Sequence, residues 1–277
     1  MNRLVCCCLG GLLGGLVYGC TFGSSALLHH PNEAGRVGGY LGYSIPIQPA
    51  RARVVAVPTD SAVTPPVTRH VSANTAWMRP AVWPWYAGFI SDPMLFGSLG
   101  LTDHMTLVGE MAWHRVGLSL DFFSLKTGTR GIKLAGGATA GSFVPEYHGW
   151  VEGGWLPRLS EALSGYVGAG MSIGRFRHLL GLPSNLDGLD SANENETIPT
   201  VKPFADLLRE EIRLRLPLGL AVRQSGKGAT VSFAAIPYVT LAHGDPWQIN
   251  CYKCEADVTI EDFEQRFGLE LQAGIRL

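Results

Sequence analysis

Residues 212–223 have the sequence IRLRLPLGLAVR, in which aliphatic side chains alternate with arginine, proline, glycine or alanine. Alternation with a period of two predicts a β-strand with one apolar and one polar face. The same pattern recurs beyond Pro93, for example over residues 116–122 and 263–277. Together with a strand after Gly35, these runs predict an all-β chain of about ten strands, within a range of about 8–12.

The composition favours a large β-domain over a helical enzyme. The 277 residues are 46% hydrophobic and 16% charged, and 35 of them are glycine. Soluble domains typically carry about 25% charged residues. The net charge is −1 and no basic cluster is evident, so we expect no nucleic-acid partner.

The predicted strands have the length of membrane-crossing strands. Many runs extend over roughly 9–11 residues, which is what a tilted strand needs to cross a bilayer. Short turns alternate with long connections, as in barrels with periplasmic turns and exterior loops. We therefore predict an antiparallel up-and-down transmembrane β-barrel over residues 34–277, with long loops at 48–84, 178–203 and 244–262. Because prolines are frequent in residues 48–72, no regular element is expected there.

The N-terminus predicts export. Residues 1–19 have the features of a secretory signal peptide, with Arg3 before an apolar run of about 15 residues that is too short to span a membrane. The stretch from Leu16 to Cys20 resembles the lipobox of bacterial lipoproteins, which implies lipidation of Cys20. By the same resemblance, Thr21 in place of aspartate implies sorting to the outer membrane, and residues 20–33 would be a linker. An ordinary signal peptide with incidental cysteines is the alternative.

Alternation alone does not decide whether the apolar rows face lipid or the inside of a soluble barrel. The opposite face is mainly Gly, Ser, Thr and Tyr with scattered ions, whereas a water-facing exterior is expected to carry many Lys and Glu. We therefore expect a set of charged side chains to converge in a narrow lumen, where opposite signs pair. They are Glu110, Asp121, Lys133, Glu152, Arg213, Arg215, Glu264, Arg266, Glu270 and Arg276. Their role is either to fill and stiffen the barrel or to form a selectivity filter or binding site.

In its alternating strands and turn-flanking glycines, the region from about residue 97 to Leu277 resembles small outer-membrane barrels of the OmpA and OmpW type. The similarity is one of pattern, not of motif, and the chain ends in Leu277 where such barrels usually have an aromatic residue. The resemblance implies outer-membrane lipid, the barrel assembly machinery and the lipoprotein sorting machinery as partners. Aromatic residues near predicted strand ends would form the girdles of such a barrel. They are Trp83, Trp85, Trp113, Tyr147, Trp150, Trp155 and Trp247.

Two loop segments contain residues of the kinds that form disulfides or bind metal ions. Cys251 and Cys254 are close in sequence, and in an oxidising envelope we expect them to form a disulfide. No second pair of zinc ligands lies near them. Residues 186–196 are acidic but lack the spacing of a calcium-binding loop. We therefore expect no metal and no cofactor.

Candidate catalytic residues are few. His70 with Ser72, or Asp103 with His104, match no catalytic pattern. We therefore expect a non-enzymatic outer-membrane β-barrel lipoprotein with a structural, adhesive or narrow-pore role, whose long loops meet a surface ligand. The alternative is a soluble periplasmic barrel, anchored by its acylated N-terminus, that binds lipid or a small hydrophobe with its apolar rows turned inward.

Overall fold

The computed structural model describes residues 24–58, 67–74, 92–112, 115–124, 131–141, 145–182, 204–223, 230–252 and 256–276. In these ranges the chain forms fifteen β-strands and one short 3-10 helix, Ser24–Leu27. The strands are β1 (Val37–Ile47), β2 (Pro49–Pro58), β3 (Val67–Asn74), β4 (Asp92–Thr102), β5 (Met105–Ala112), β6 (Arg115–Phe123), β7 (Gly131–Gly141), β8 (Tyr147–Leu156), β9 (Leu163–Gly181), β10 (Phe204–Arg215), β11 (Leu218–Arg223), β12 (Thr230–His243), β13 (Trp247–Tyr252), β14 (Ala256–Glu264) and β15 (Phe267–Arg276). Within this part of the chain, no helix is long and apolar enough to cross a membrane.

The wall is a closed, ten-stranded antiparallel barrel, which confirms the predicted all-β barrel. Around the barrel the strands follow in the order β1, β4, β5, β6, β7, β8, β9, then β10 and β11 as one position, then β12 and β15. The barrel closes because β15 pairs with β1. β10 and β11 are two halves of one wall strand, because β9 and β12 pair with both. Pro217 interrupts them because it has no N–H. The ladder continues across the break, where Gly168 donates to Pro217 O and Leu216 to Pro237 O, each at 2.9 Å.

The two ends of the barrel differ. Short connections join β4 to β5, β6 to β7, β8 to β9 and β11 to β12 at one end, here called the short-turn end. The first wall strand begins and the last one ends there, at Val37 and Arg276. The connections from β1 to β4, β9 to β10 and β12 to β15 lie at the opposite, long-loop end.

Large apolar side chains cover the outside of the wall and form what we call the apolar belt. The aliphatic row of residues 212–223 faces outward, since Leu214 is 37% and Leu218 46% exposed. Phe267 on β15 is 61% exposed. Further members are Leu41, Leu95, Leu99, Leu118, Leu134, Val151, Val167, Met171, Ile173, Phe233, Val239, Leu241, Leu271 and Ile275. The apolar rows thus point away from the interior.

Aromatic side chains lie near both edges of the apolar belt. At the long-loop end, the Arg175 guanidinium lies 5.2 Å from the Tyr147 ring centre and 4.4 Å from that of Trp247. Trp155 is exposed near the short-turn end of β8, about 26 Å along the strand from Tyr147. Trp150 is buried inside the barrel, so its predicted place in a girdle is wrong. The other predicted girdle residues, Trp83, Trp85 and Trp113, lie outside the described residues.

A second sheet, formed by β14, β2 and β3, lies at the long-loop end and is here called the lobe. The prediction of no regular element in residues 48–72 is therefore wrong. Pro49 and Pro58 are the first and last residues of β2, where a missing N–H disturbs the ladder least. Two predicted loops pair with each other here, with Val54 opposite Ile260. A small hydrophobic core joins the lobe to β9 and β10 near the long-loop end. It contains Ala50, Ala52, Val54, Leu180, Leu207, Val258 and Phe263.

Candidate functional site in the barrel interior

The barrel interior near the short-turn end holds the chain's own residues 24–33, here called the plug. Apolar residues 26–28 are buried against the inner wall. The Asn32 side-chain amide donates to Ser98 O at 3.0 Å and to Ser98 Oγ at 2.8 Å. The Asn32 backbone N–H donates to Thr106 Oγ1 at 3.0 Å. The segment predicted as a linker is therefore part of the packed interior.

Two glycines of the wall make room for the backbone of the plug. A β carbon at Gly100 would lie 2.2 Å from Glu33 O, and one at Gly219 would lie 2.6 Å from Ala26 O. Both distances are far below van der Waals contact, so any side chain at these positions requires the plug to move. The fit between plug and wall depends on glycine at both positions.

A buried ion pair links the plug to the wall. Lys133 Nζ lies 2.9 Å from Asp121 Oδ2, and both side chains are fully buried. The same Nζ donates to Leu28 O at 2.9 Å and lies 5.5 Å from the ring centres of Phe123 and Tyr166. Lys133 therefore neutralises a buried carboxylate and holds the plug with one ammonium group.

The plug carries two histidines near the short-turn end. Burial lowers the pKa of His29 to about 3, and the positive charge of Lys133 acts in the same direction. Burial also lowers the pKa of His30 to about 4, with further contributions from Arg276, Arg223 and Arg158. Both side chains are therefore neutral at pH 7.

A second charged cluster lies toward the long-loop end. Glu211 Oε1 accepts from Arg209 Nε at 2.6 Å and lies 2.8 Å from His178 Nε2. Glu211 Oε2 accepts from Arg213 Nε at 2.6 Å. These four side chains are all buried. One carboxylate thus faces two guanidinium groups and an imidazole, and the cluster bridges adjacent strands.

Further polar contacts lie along the interior. Arg215 Nη1 is 3.7 Å from Glu152 Oε2, and the guanidinium carbon is 5.5 Å from the Trp150 ring centre. Glu270 Oε1 accepts from Ser44 Oγ at 2.7 Å and from Gln272 Nε2 at 2.8 Å. Opposite charges and hydrogen bonds therefore offset part of the cost of burying these ions.

Most of the predicted lumen charges lie in this interior. The buried ones are Glu110, Asp121, Lys133, Glu152, Arg213, Arg215 and Glu270. Arg276 is partly buried and donates to Asn32 Oδ1 at 2.5 Å. Glu264 and Arg266 are exposed instead and pair with each other at 2.6 Å, so their placement in the lumen is wrong. They lie where β14 ends and β15 begins, beyond the closed wall.

The sequence prediction missed Arg209, Glu211 and His178. A signal for the first two was present, because they continue the inward face of Arg213 and Arg215 with the same period of two. His178 lies past the predicted end of its strand, and no local pattern marks it.

The remaining candidate residues lie apart from the interior sites. Cys251 on β13 forms a disulfide bond, whereas Cys20, Cys254 and residues 186–196 lie outside the described residues. The two candidate catalytic pairs, Asp103 with His104 and His70 with Ser72, lie at opposite ends of the protein. The His104 ring is held by Phe123 O, 3.0 Å from Nδ1, and His70 is exposed. Among the residues described, no group of three His, Cys, Asp or Glu side chains is placed to hold a metal ion.

No protein-family model matches the chain, and a comparison with curated proteins gives no significant match.

Proposed function

We propose that this chain is a non-enzymatic outer-membrane β-barrel lipoprotein, anchored through Cys20, whose barrel is kept closed by the plug. In this proposal the lobe at the long-loop end faces the exterior and serves a structural or adhesive role. The observation that carries the proposal is the distribution of side chains across the wall. The apolar belt faces outward, while ions and hydrogen-bonding groups fill the inside.

This distribution suits a wall surrounded by lipid. A soluble protein rarely exposes a contiguous apolar patch beyond a few hundred Å², and the apolar belt continues around many wall strands. With a tilt of about 40°, the stretch between Tyr147 and Trp155 corresponds to a height of about 20 Å, close to the roughly 25 Å of an outer-membrane belt. A soluble barrel that binds a hydrophobe would instead place such rows inside.

The position of the plug fits a lipid anchor at the short-turn end. Cys20 precedes Ser24, the first residue of the 3-10 helix, by four residues. Four extended residues reach at most about 14 Å. An acyl group on Cys20 would therefore remain near the short-turn end, which in this proposal faces the periplasm.

The interior favours a closed barrel over an open pore. The plug occupies the short-turn half, and the side chains of the Glu211 cluster fill part of the interior nearer the long-loop end. Planar-bilayer recordings of the purified full chain should show no steady conductance. A reproducible open-channel current would support the narrow-pore alternative and contradict a closed barrel.

Two leucines with nearly equal exposure give a matched test of the membrane location. Leu118 lies midway along β6 in the apolar belt and is 56% exposed, whereas Leu159 lies in the β8–β9 turn and is 57% exposed. A lysine at the bilayer midplane costs about 2–4 kcal/mol, and one near the interface about 0–1 kcal/mol. We therefore expect Leu118→Lys to impair folding into lipid vesicles much more than Leu159→Lys.

The result is judged from the fraction of folded barrel in vesicles and the free energy of unfolding. If both variants behave like the unchanged chain, the apolar belt does not face lipid. A Cys20→Ser variant that stays monomeric in water without detergent would contradict the proposal by an independent route, because the apolar belt would then be stable in water.

A further inference from the structure

We propose that a pocket at the short-turn end binds a phosphate-bearing ligand. The pocket has a volume of about 280 Å³ and lies between the plug and the barrel wall. Its walls come from His29 and His30 of the plug, the β8–β9 turn, the end of β11 and the start of β12. The inference stands on this geometry and holds whether or not the barrel lies in a membrane.

The charge of the pocket favours an anion. Arg158 and Arg223 line it, and Glu161 is its one acidic lining residue among those described. Arg276 lies close enough to His30 to act on it electrostatically, as do both lining arginines. Three positively charged guanidinium groups therefore lie within electrostatic range of a neutral imidazole. Guanidinium groups bind phosphate through paired, charge-assisted hydrogen bonds.

Neutral hydrogen-bonding groups complete the pocket. The hydroxyls of Ser160, Ser164 and Thr230 belong to lining residues. Ser164 Oγ lies 3.2 Å from His29 Nδ1, so this hydroxyl and imidazole are already oriented by each other. Hydroxyl and imidazole groups bind the remaining phosphate oxygens or a neighbouring alcohol of the ligand. The volume admits a phosphate ester of headgroup size but not a long chain.

Two kinds of ligand carry such a phosphate group. One is the headgroup of an anionic phospholipid, whose phosphate lies at a membrane surface beside the short-turn end. The other is a free phosphate ester. Two probes separate them: phosphatidylglycerol in nanodiscs containing the full chain, and glycerol 3-phosphate added to the full chain in a zwitterionic detergent.

The first comparison tests the charges. We expect Arg158→Gln with Arg223→Gln to weaken binding about 100-fold, or about tenfold for each lost guanidinium. Arg266→Gln removes one positive charge at the long-loop end, where the side chain is exposed, and should change the affinity less than twofold. Binding of glycerol 3-phosphate alone identifies a free ester, and binding of phosphatidylglycerol alone identifies a headgroup. If neither probe binds saturably, or Arg266→Gln weakens binding as much as one pocket arginine does, the proposal is wrong.

The second comparison tests the pocket itself without changing charge. Ala162 lines the pocket, whereas Leu159 lies in the same turn outside its lining. Both residues are exposed, so neither substitution disturbs the buried interior. Ala162→Trp should fill the pocket and abolish binding, while Leu159→Trp should leave binding unchanged. Unaltered binding by Ala162→Trp would place the ligand elsewhere and overturn the proposal.

Discussion

Replacing Lys133 with methionine should destabilise the barrel strongly, because it removes a buried charge and leaves its partner in place. The Asp121 carboxylate would lose the ammonium group at 2.9 Å, and Leu28 O would lose its donor at 2.9 Å. Breaking a buried ion pair by removing one partner costs about 3–5 kcal/mol. Leaving a buried carbonyl without a donor adds about 1–3 kcal/mol. We therefore expect Lys133→Met to lower the free energy of unfolding by about 4–8 kcal/mol.

The companion variants separate the charge from the packing. Asp121→Leu leaves the ammonium group with Leu28 O and the rings of Phe123 and Tyr166, so it should cost less than Lys133→Met. The double variant has no buried charge at this place. Because apolar replacement of a buried pair is often neutral, its free energy of unfolding should lie within about 2 kcal/mol of the unchanged chain.

The measurement is reversible urea unfolding of the full chain in lipid vesicles, followed by tryptophan fluorescence. Arg266→Met is the matched control, since it removes an exposed charge and should change the free energy by less than about 0.5 kcal/mol. If the double variant is as unstable as Lys133→Met, the lone carboxylate is not the cause. A Lys133→Met variant within about 1 kcal/mol of the unchanged chain would refute the buried pair itself.

Two further predictions concern the plug, and hydrogen exchange of residues 24–33 measures both. Gly100→Val should displace the plug and disrupt the three hydrogen bonds that Asn32 donates to the wall, which weakens docking of the plug by about 3 kcal/mol. Gly97→Val on the same strand has open space at its β carbon and should leave docking unchanged. Equal exchange in the two variants would contradict the close approach. Docking of the plug lowers the pKa of His30 from 6.5 to about 4. His30 therefore does not destabilise the docked plug above pH 6.5, and the docked plug loses stability as the pH falls from 6.5 toward 4. At pH 5, protonation of His30 lowers the stability of the docked plug by about 2 kcal/mol, which corresponds to about 30-fold faster exchange after correction for intrinsic rates. If a His30→Gln variant shows the same pH dependence of exchange as the unchanged chain, His30 is not the responsible group.

The wall of the barrel is predictable from the sequence because the strand period alone assigns each residue to a face. In residues 212–223 the leucines point outward and Arg213 and Arg215 inward, as the alternation requires. The same reasoning fails where the wall ends. Glu264 and Arg266 continue an alternating pattern, but no closed wall surrounds them, so their side chains reach solvent. Periodicity predicts which face of a strand a side chain lies on, but not where along the strand the closed wall of the barrel ends.

The lobe was not predictable in the same way because its pairing is long-range. β2 and β14 lie about 200 residues apart in sequence, with Ala56 opposite Val258. Local pattern carries no information about such a partner, and the prolines argue against a strand. Their positions at the first and last residues of β2 remove the conflict, since only interior prolines break a ladder.

The sequence of the plug has no periodicity, but glycines in the wall strands mark where the plug lies. An inward-facing glycine contributes no side-chain packing and no side-chain hydrogen bond, so its presence on the polar face needs a reason. At Gly100 and Gly219 that reason is a backbone carbonyl of the plug within 2.6 Å of the place where a β carbon would be. Gly38 shows the same effect more weakly, with Ser98 and Asn32 side chains around it. At these positions, inward-facing glycines near the short-turn end mark where the plug approaches the wall, a signal that residues 24–33 alone do not contain.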